Sequence, residues 1–102
     1  MTDVRRRQPA EGFSPGEYLK DFLSSKGWSQ TDLADILGRP PRVINEIIAG
    51  KRAITPDTAL RLARYLGTTS AYWINLQAHY DLETARRRSE RRILADVTPL
   101  AA

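Results

Sequence analysis

A chain of 102 residues is one domain's worth, and its 41% hydrophobic and 27% charged content suits a globular protein with a modest core, which excludes wholesale disorder. With no cysteine and one histidine it can build no disulfide framework, thiol nucleophile or His-rich metal site, and it has no run of about 18 apolar residues to span a bilayer. The 16 Lys and Arg against 12 Asp and Glu leave a net +4, so a polyanion is the natural partner, and the polar, Arg-rich beginning lacks the apolar run of a signal peptide, which predicts a cytoplasmic protein.

Residues 1–12 carry Arg5, Arg6 and Arg7 without apolar periodicity and read as a flexible basic segment, with a minor-groove arm as the alternative. The first helix opens with Ser14 as N-cap, Pro15 in the first turn and Glu17 completing a capping box; Phe13 and Tyr18 are spaced to staple it. Leu19, Phe22 and Leu23 form its inward stripe and Gly27 stops it. The device repeats at Trp28, Ser29, Asp32 and Leu33, which predicts a second helix from Gln30 to Leu37, stopped by Gly38. Pro40 and Pro41 force an extended lead into a third helix over 41–49, ended by Gly50. Ile54, Thr55, Pro56 and Asp57 start a fourth, with Ala59, Leu62, Ala63 and Leu66 inward and Gly67 as its stop. A fifth begins near Thr69 and carries Tyr72, Trp73, Leu76 and Tyr80 on one side. Beyond Asp81 the stripe thins to Leu82, Ala85, Ser89 and Ile93, too weak to bury without a partner, and a short alternation ends at Pro99.

The expected organisation is therefore all-α: a flexible segment 1–12, a compact five-helix bundle over 13–81, and a basic C-terminal tail 82–102, helical or extended, that dimerises or contacts a partner. Leu19, Phe22, Leu33, Ile44, Ile47, Leu62, Leu66, Trp73 and Leu76 are expected to be buried. Neither an internal repeat nor a low-complexity linker is present.

The helix, tight turn and helix over 30–50 carry the chemistry. Small Ala34 permits a close crossing and Gly38 supplies the turn of a helix-turn-helix. At 100° per residue Ile44, Ile47 and Ile48 share one face of the third helix, and Arg42, Asn45, Glu46 and Ala49 the other. Arg can bond guanine O6 and N7 as a fork, Asn can pair with adenine N6 and N7, and Glu can accept from cytosine N4. Arg42, Asn45 and Glu46 are thus candidate base readers in a major groove. Gln30, Thr31, Arg39, Val43, Lys51 and Arg52 are candidates for phosphate or flanking contacts. The plainer account of the same face is a solvated helix with an i,i+4 pair of Arg42 and Glu46. Trp28, Tyr72, Trp73 and Tyr80 are read as core, and lone His79 as a surface or hydrogen-bonded core residue. No nucleophile with a base, no paired carboxylates in a plausible pocket and no glycine-rich phosphate loop can be found in the chain, so neither an enzyme, a cofactor nor a metal is expected.

The run SQTDLA at 29–34 through Gly38, with GKR at 50–52, resembles the helix-turn-helix of the phage-repressor, XRE or Cro/C1-like, family. PGE at 15–17, AITPDTALRLA at 53–63 and YWINLQAHYDL at 72–82 resemble HigA-type antitoxins more narrowly. The likeness covers about two-thirds of the chain, over 14–82. It implies a homodimer that binds a palindromic operator in double-stranded DNA, represses its own operon and neutralises a HigB-like toxin that cleaves mRNA. Two positions depart from the family pattern and bear on which operator is read: Val43 stands where many relatives carry a basic residue, and Ala49 where Asn is frequent. Two other readings stay open, a stand-alone phage-type repressor without a toxin and an interaction module whose basic tail neutralises an enzyme. For the run of arginines over 86–92 a solvated face, a toxin contact, an RNA-binding helix and a second DNA contact are all compatible with the sequence.

Overall fold

Residues 14–101 are described in the computed structural model, which holds five helices and, among those residues, no strand. The helices are α1 (Pro15–Lys26), α2 (Gln30–Leu37), α3 (Pro41–Ile48), α4 (Pro56–Leu66) and α5 (Ser70–Asp96). The expected staple on Phe13 and the arginines of the first segment lie outside the described residues.

Local hydrogen bonding explains where the helices begin. At α1 the Ser14 amide donates to Glu17 Oε2 at 2.9 Å while the Glu17 amide donates to Ser14 Oγ at 3.4 Å. At α2 the Ser29 and Asp32 pair makes the same reciprocal bonds at 2.9 and 3.0 Å. Thr55 and Thr69 accept from the Thr58 and Tyr72 amides at the starts of α4 and α5. Each bond satisfies an amide that the helix itself leaves unpaired, which stabilises by about 1 kcal/mol per cap. The α2–α3 turn needs Gly38, whose φ of +68° lies in the left-handed region.

The core gathers Leu33, Ala34 and Leu37 of α2, Val43, Ile44 and Ile47 of α3, and Ala59 and Leu62 of α4. Tyr18, Leu19 and Leu23 of α1 and Trp73 and Leu76 of α5 close it. Phe22 and Leu66, expected inside, are only half-buried. Phe22 packs edge-on against the rim residue Trp28, with ring centroids 5.9 Å apart, and Leu66 is the last residue of α4. His79, read as a surface or hydrogen-bonded core residue, is half-buried, and its Nε2 has no hydrogen-bond partner among the described residues.

α5 runs 27 residues without a break through Asp81, so the tail expected to be helical or extended is helical as far as Asp96, and Val97 is extended. The molecule is accordingly elongated, 53 Å along its longest axis and 23 Å along its shortest. Among the described residues none after Leu76 is fully buried. The distal turns instead carry Arg86 between Glu83 and Glu90, at 2.8 and 3.7 Å, and such pairs support a helix that packing does not. No helix of the described residues is long and apolar enough to cross a membrane, and none of their His, Asp and Glu cluster as metal ligands.

Candidate nucleic-acid interface

α3 is held in place from behind. Ile44 and Ile47 are inaccessible, and α1 lies so close that a Cβ on Gly16 would fall 2.2 Å from the Ile47 carbonyl oxygen and 2.7 Å from Ile48 Cα. Only glycine permits that approach. At the far end the Ala49, Gly50 and Lys51 amides donate to the Asn45, Ile47 and Glu46 carbonyls, closing the helix in a turn with Gly50 at φ +77°. The Ile54 amide just beyond donates to Gln77 Oε1 of α5 at 2.9 Å, which fixes the loop carrying Lys51 and Arg52.

From this frame Arg42 stands out with 82% of its side chain exposed, and Asn45 is exposed beside it one turn along. Glu46 is half-buried between two guanidiniums. Arg42 Nε donates to its Oε2 at 3.2 Å, and Arg52 Nη2 and Nε approach its Oε1 at 2.6 and 2.8 Å. Hydrogen bonds from Arg52 and then Arg42 hold the Glu46 carboxyl below the ordinary carboxylate pKa. The i,i+4 pair of the plainer account therefore exists, and Arg52 joins it. Both oxygens of Glu46 are engaged, so in this state they are not offered to a base amine.

The remaining candidates divide. Thr31 and Lys51 are exposed and Gln30, the first residue of α2, is half-buried, all in positions open to a backbone contact. Val43, expected at a flanking phosphate, is corrected: it is 8% exposed and belongs to the core, because it falls on the Ile44 and Ile47 side of α3. Arg39 is turned inward, 3.8 Å from Asp57, with its Nε buried. Asp57 also takes Arg61 Nε at 2.8 Å, while Arg61 Nη1 donates to the Leu37 carbonyl at 2.9 Å. Arg61 thus ties α4 to the last turn of α2, and Gln77 ties α5 to the loop after α3. Sequence reasoning missed both roles. The Asp57 and Arg61 spacing is a signal for their mutual pair, but nothing local marks Leu37 or Ile54 as the distant partner.

A family profile described as Helix-turn-helix matches residues 19–73. Virulence-associated protein I of Dichelobacter nodosus is 46% identical over 74 residues, which is 72% of this chain and 68% of that protein. Among solved structures, an addiction module antidote protein of a HigA family from Coxiella burnetii is similar with a TM-score of 0.81 and 40% identity, covering 87% of this chain and 98% of that one. The Pseudomonas aeruginosa antitoxin HigA, solved with the higBA promoter, is similar with a TM-score of 0.83 and 35% identity, covering 88% and 99%.

Proposed function

Because the chain belongs to the HigA-type antitoxins of the Cro/C1-like helix-turn-helix family, we propose that it binds the operator of its own operon as a dimer, represses that operon and neutralises a HigB-like mRNA-cleaving toxin. The observation that carries the DNA reading is the two-sidedness of α3. Ile44 and Ile47 lock one face into the core while Arg42 and Asn45 stand exposed on the other. Rigid presentation of a fork and an amide suits major-groove base edges, and Gln30, Thr31 and Lys51 around them suit phosphates. Glu46 acts through its neighbours in this reading: it keeps Arg42 and Arg52 in register, and a guanine or a phosphate must compete with it for either.

Dimerisation is assigned to the chain after Leu66, where Leu82 and Ile93 leave half of their surface exposed on one side of α5. Two copies related by a two-fold axis present their recognition helices to half-sites about one helical turn apart. The toxin docks away from α3, which leaves DNA and toxin free to be held together.

Co-expression with the product of the adjacent gene, followed by footprinting of the shared promoter with and without it, tests the whole reading. Two symmetric protections one turn apart and a co-purified partner are expected. Equal affinity for the promoter and a scrambled duplex overturns sequence-specific binding. Recovery of no partner removes the toxin and leaves a stand-alone repressor.

A further inference from the structure

Arg87, Arg88, Arg91 and Arg92 lie together on the distal half of α5, and the first three make no ion pair or side-chain hydrogen bond among the described residues. Arg92 has only a 3.4 Å bond to Ser89 Oγ. Arg86, the member of the run that Glu83 and Glu90 neutralise, points to another side.

The direction of the unneutralised band follows from helical spacing. Gln77, Tyr80 and Asp81 of α5 line one shallow pocket with Gly50, Lys51 and Arg52, so that side of α5 faces the loop after α3. Gln77, Asp81, Thr84, Arg88 and Arg91 follow one another at alternating steps of four and three residues, and Tyr80, Thr84, Arg87 and Arg91 do the same. The arginine band is therefore the continuation, about two to four turns on, of the side of α5 that touches the Lys51 and Arg52 loop. Leu82 and Ile93 fall at least about 120° round the helix from Arg87, Arg88 and Arg91, which leaves those three clear of the two residues assigned to dimerisation, while Ala85 and Ser89 border Arg92. At 1.5 Å per residue the band lies about 15 to 22 Å beyond Gln77 along the axis.

We propose that this band is a second duplex-DNA surface, which holds backbone phosphates outside the base pairs read by α3. The inference rests on the DNA-binding reading above and extends it. Guanidiniums without carboxylate partners favour a polyanion, and continuity with the Lys51 and Arg52 side favours the duplex already engaged there over a separate acidic protein.

The test uses the full chain with Arg87, Arg88, Arg91 and Arg92 all changed to Gln, and a second variant with all four changed to Lys. Binding is measured over a range of salt on two duplexes from the DNA upstream of its own gene. One is trimmed to the protected palindrome and the other extended by about one helical turn on each side. The wild type should bind the extended duplex more tightly and with a steeper salt dependence. The Gln variant should erase that difference, losing about tenfold on the extended duplex and less than about twofold on the trimmed one, with log K against log salt flatter by about 0.9 for each phosphate no longer neutralised. The Lys variant, which keeps the charges, should stay within about threefold of wild type. Equal isotherms for wild type and Gln variant on both duplexes overturn the proposal and turn the band toward an acidic protein. So does an equal loss on both duplexes, or a Lys variant as weak as the Gln one. If the wild type binds neither duplex, the DNA reading itself falls and takes this one with it, whereas retention of Arg42-dependent binding to the trimmed duplex separates the two failures.

Discussion

On α3, Arg42 projects from a helix whose other face, Ile44 and Ile47, is wholly buried, whereas Arg87, Arg88, Arg91 and Arg92 project from a stretch of α5 that buries no residue. On α3 a carboxylate also grips the arginine, while on α5 the four have none among the described residues. The contrast separates two demands on a basic surface. Reading a base edge, the role proposed for Arg42, needs a guanidinium held within a fraction of an ångström, and α3 is packed against α1 and α2 with the Arg42 side chain braced by Glu46. Holding a phosphate needs charge near the right place, and an exposed, self-supported helix suffices.

The comparison breaks first if the anchoring is not real. Ile44→Ala should cost about 2 to 5 kcal/mol and lower Tm by roughly 10 °C or more, whereas Ile93→Ala on distal α5 should stay within about 0.5 kcal/mol in the monomer. Denaturant unfolding at low protein concentration checks both, and similar losses would erase the distinction. Gly16→Ala is the sharper probe, because its methyl meets α3 backbone rather than a movable side chain. A loss of about 3 kcal/mol is expected, with shifted amide resonances at Ile47 and Ile48. Next comes reading itself. Arg42→Ala should weaken binding to the correct operator by about 1 to 3 kcal/mol and to scrambled DNA much less, whereas Lys51→Ala should weaken both alike and flatten the salt slope. Isotherms on the two duplexes decide it; equal factors for Arg42→Ala would mean that α3 does not read sequence.

The smallest effect concerns the brace. The Glu46 pKa is lowered by folding, so the stabilisation it gives is complete above the ordinary glutamate value of about 4.3 and disappears as pH falls through the lower folded value. A carboxyl titration by NMR should place Glu46 below that ordinary value. Arg52→Ala should raise it more than Arg42→Ala, since the Arg52 bond is the larger cause.

Most of the bundle was legible because its boundaries are written locally. Ser14, Ser29, Thr55 and Thr69 cap where expected, and Gly27, Gly38 and Gly67 close in the left-handed conformation. Distal α5 reads equally well as helix or extended chain in the sequence because its helicity has no buried stripe to announce it. It rests on good helix formers and on Arg86 with Glu83 and Glu90. At the site, the outward Arg42 and Asn45 followed from periodicity. Val43 was missed although its i,i+4 spacing to Ile47 sets it on the buried side of α3. Arg39, read as a phosphate contact, also lies 3.8 Å from Asp57, a partner too distant in sequence to be foreseen.

Between Ser70 and Asp96 there is neither glycine nor proline, and α5 crosses the edge of the bundle without a hinge. Repressors whose halves are joined by a slack linker tolerate variable gaps between half-sites. This chain has a ruler in place of a tether: whatever grips the distal turns of α5 inherits a fixed distance and a fixed angle to α3. Inserting one base pair at the centre of the operator, which turns one half-site by about 35° relative to the other, should therefore be read as a wrong address rather than as a looser fit.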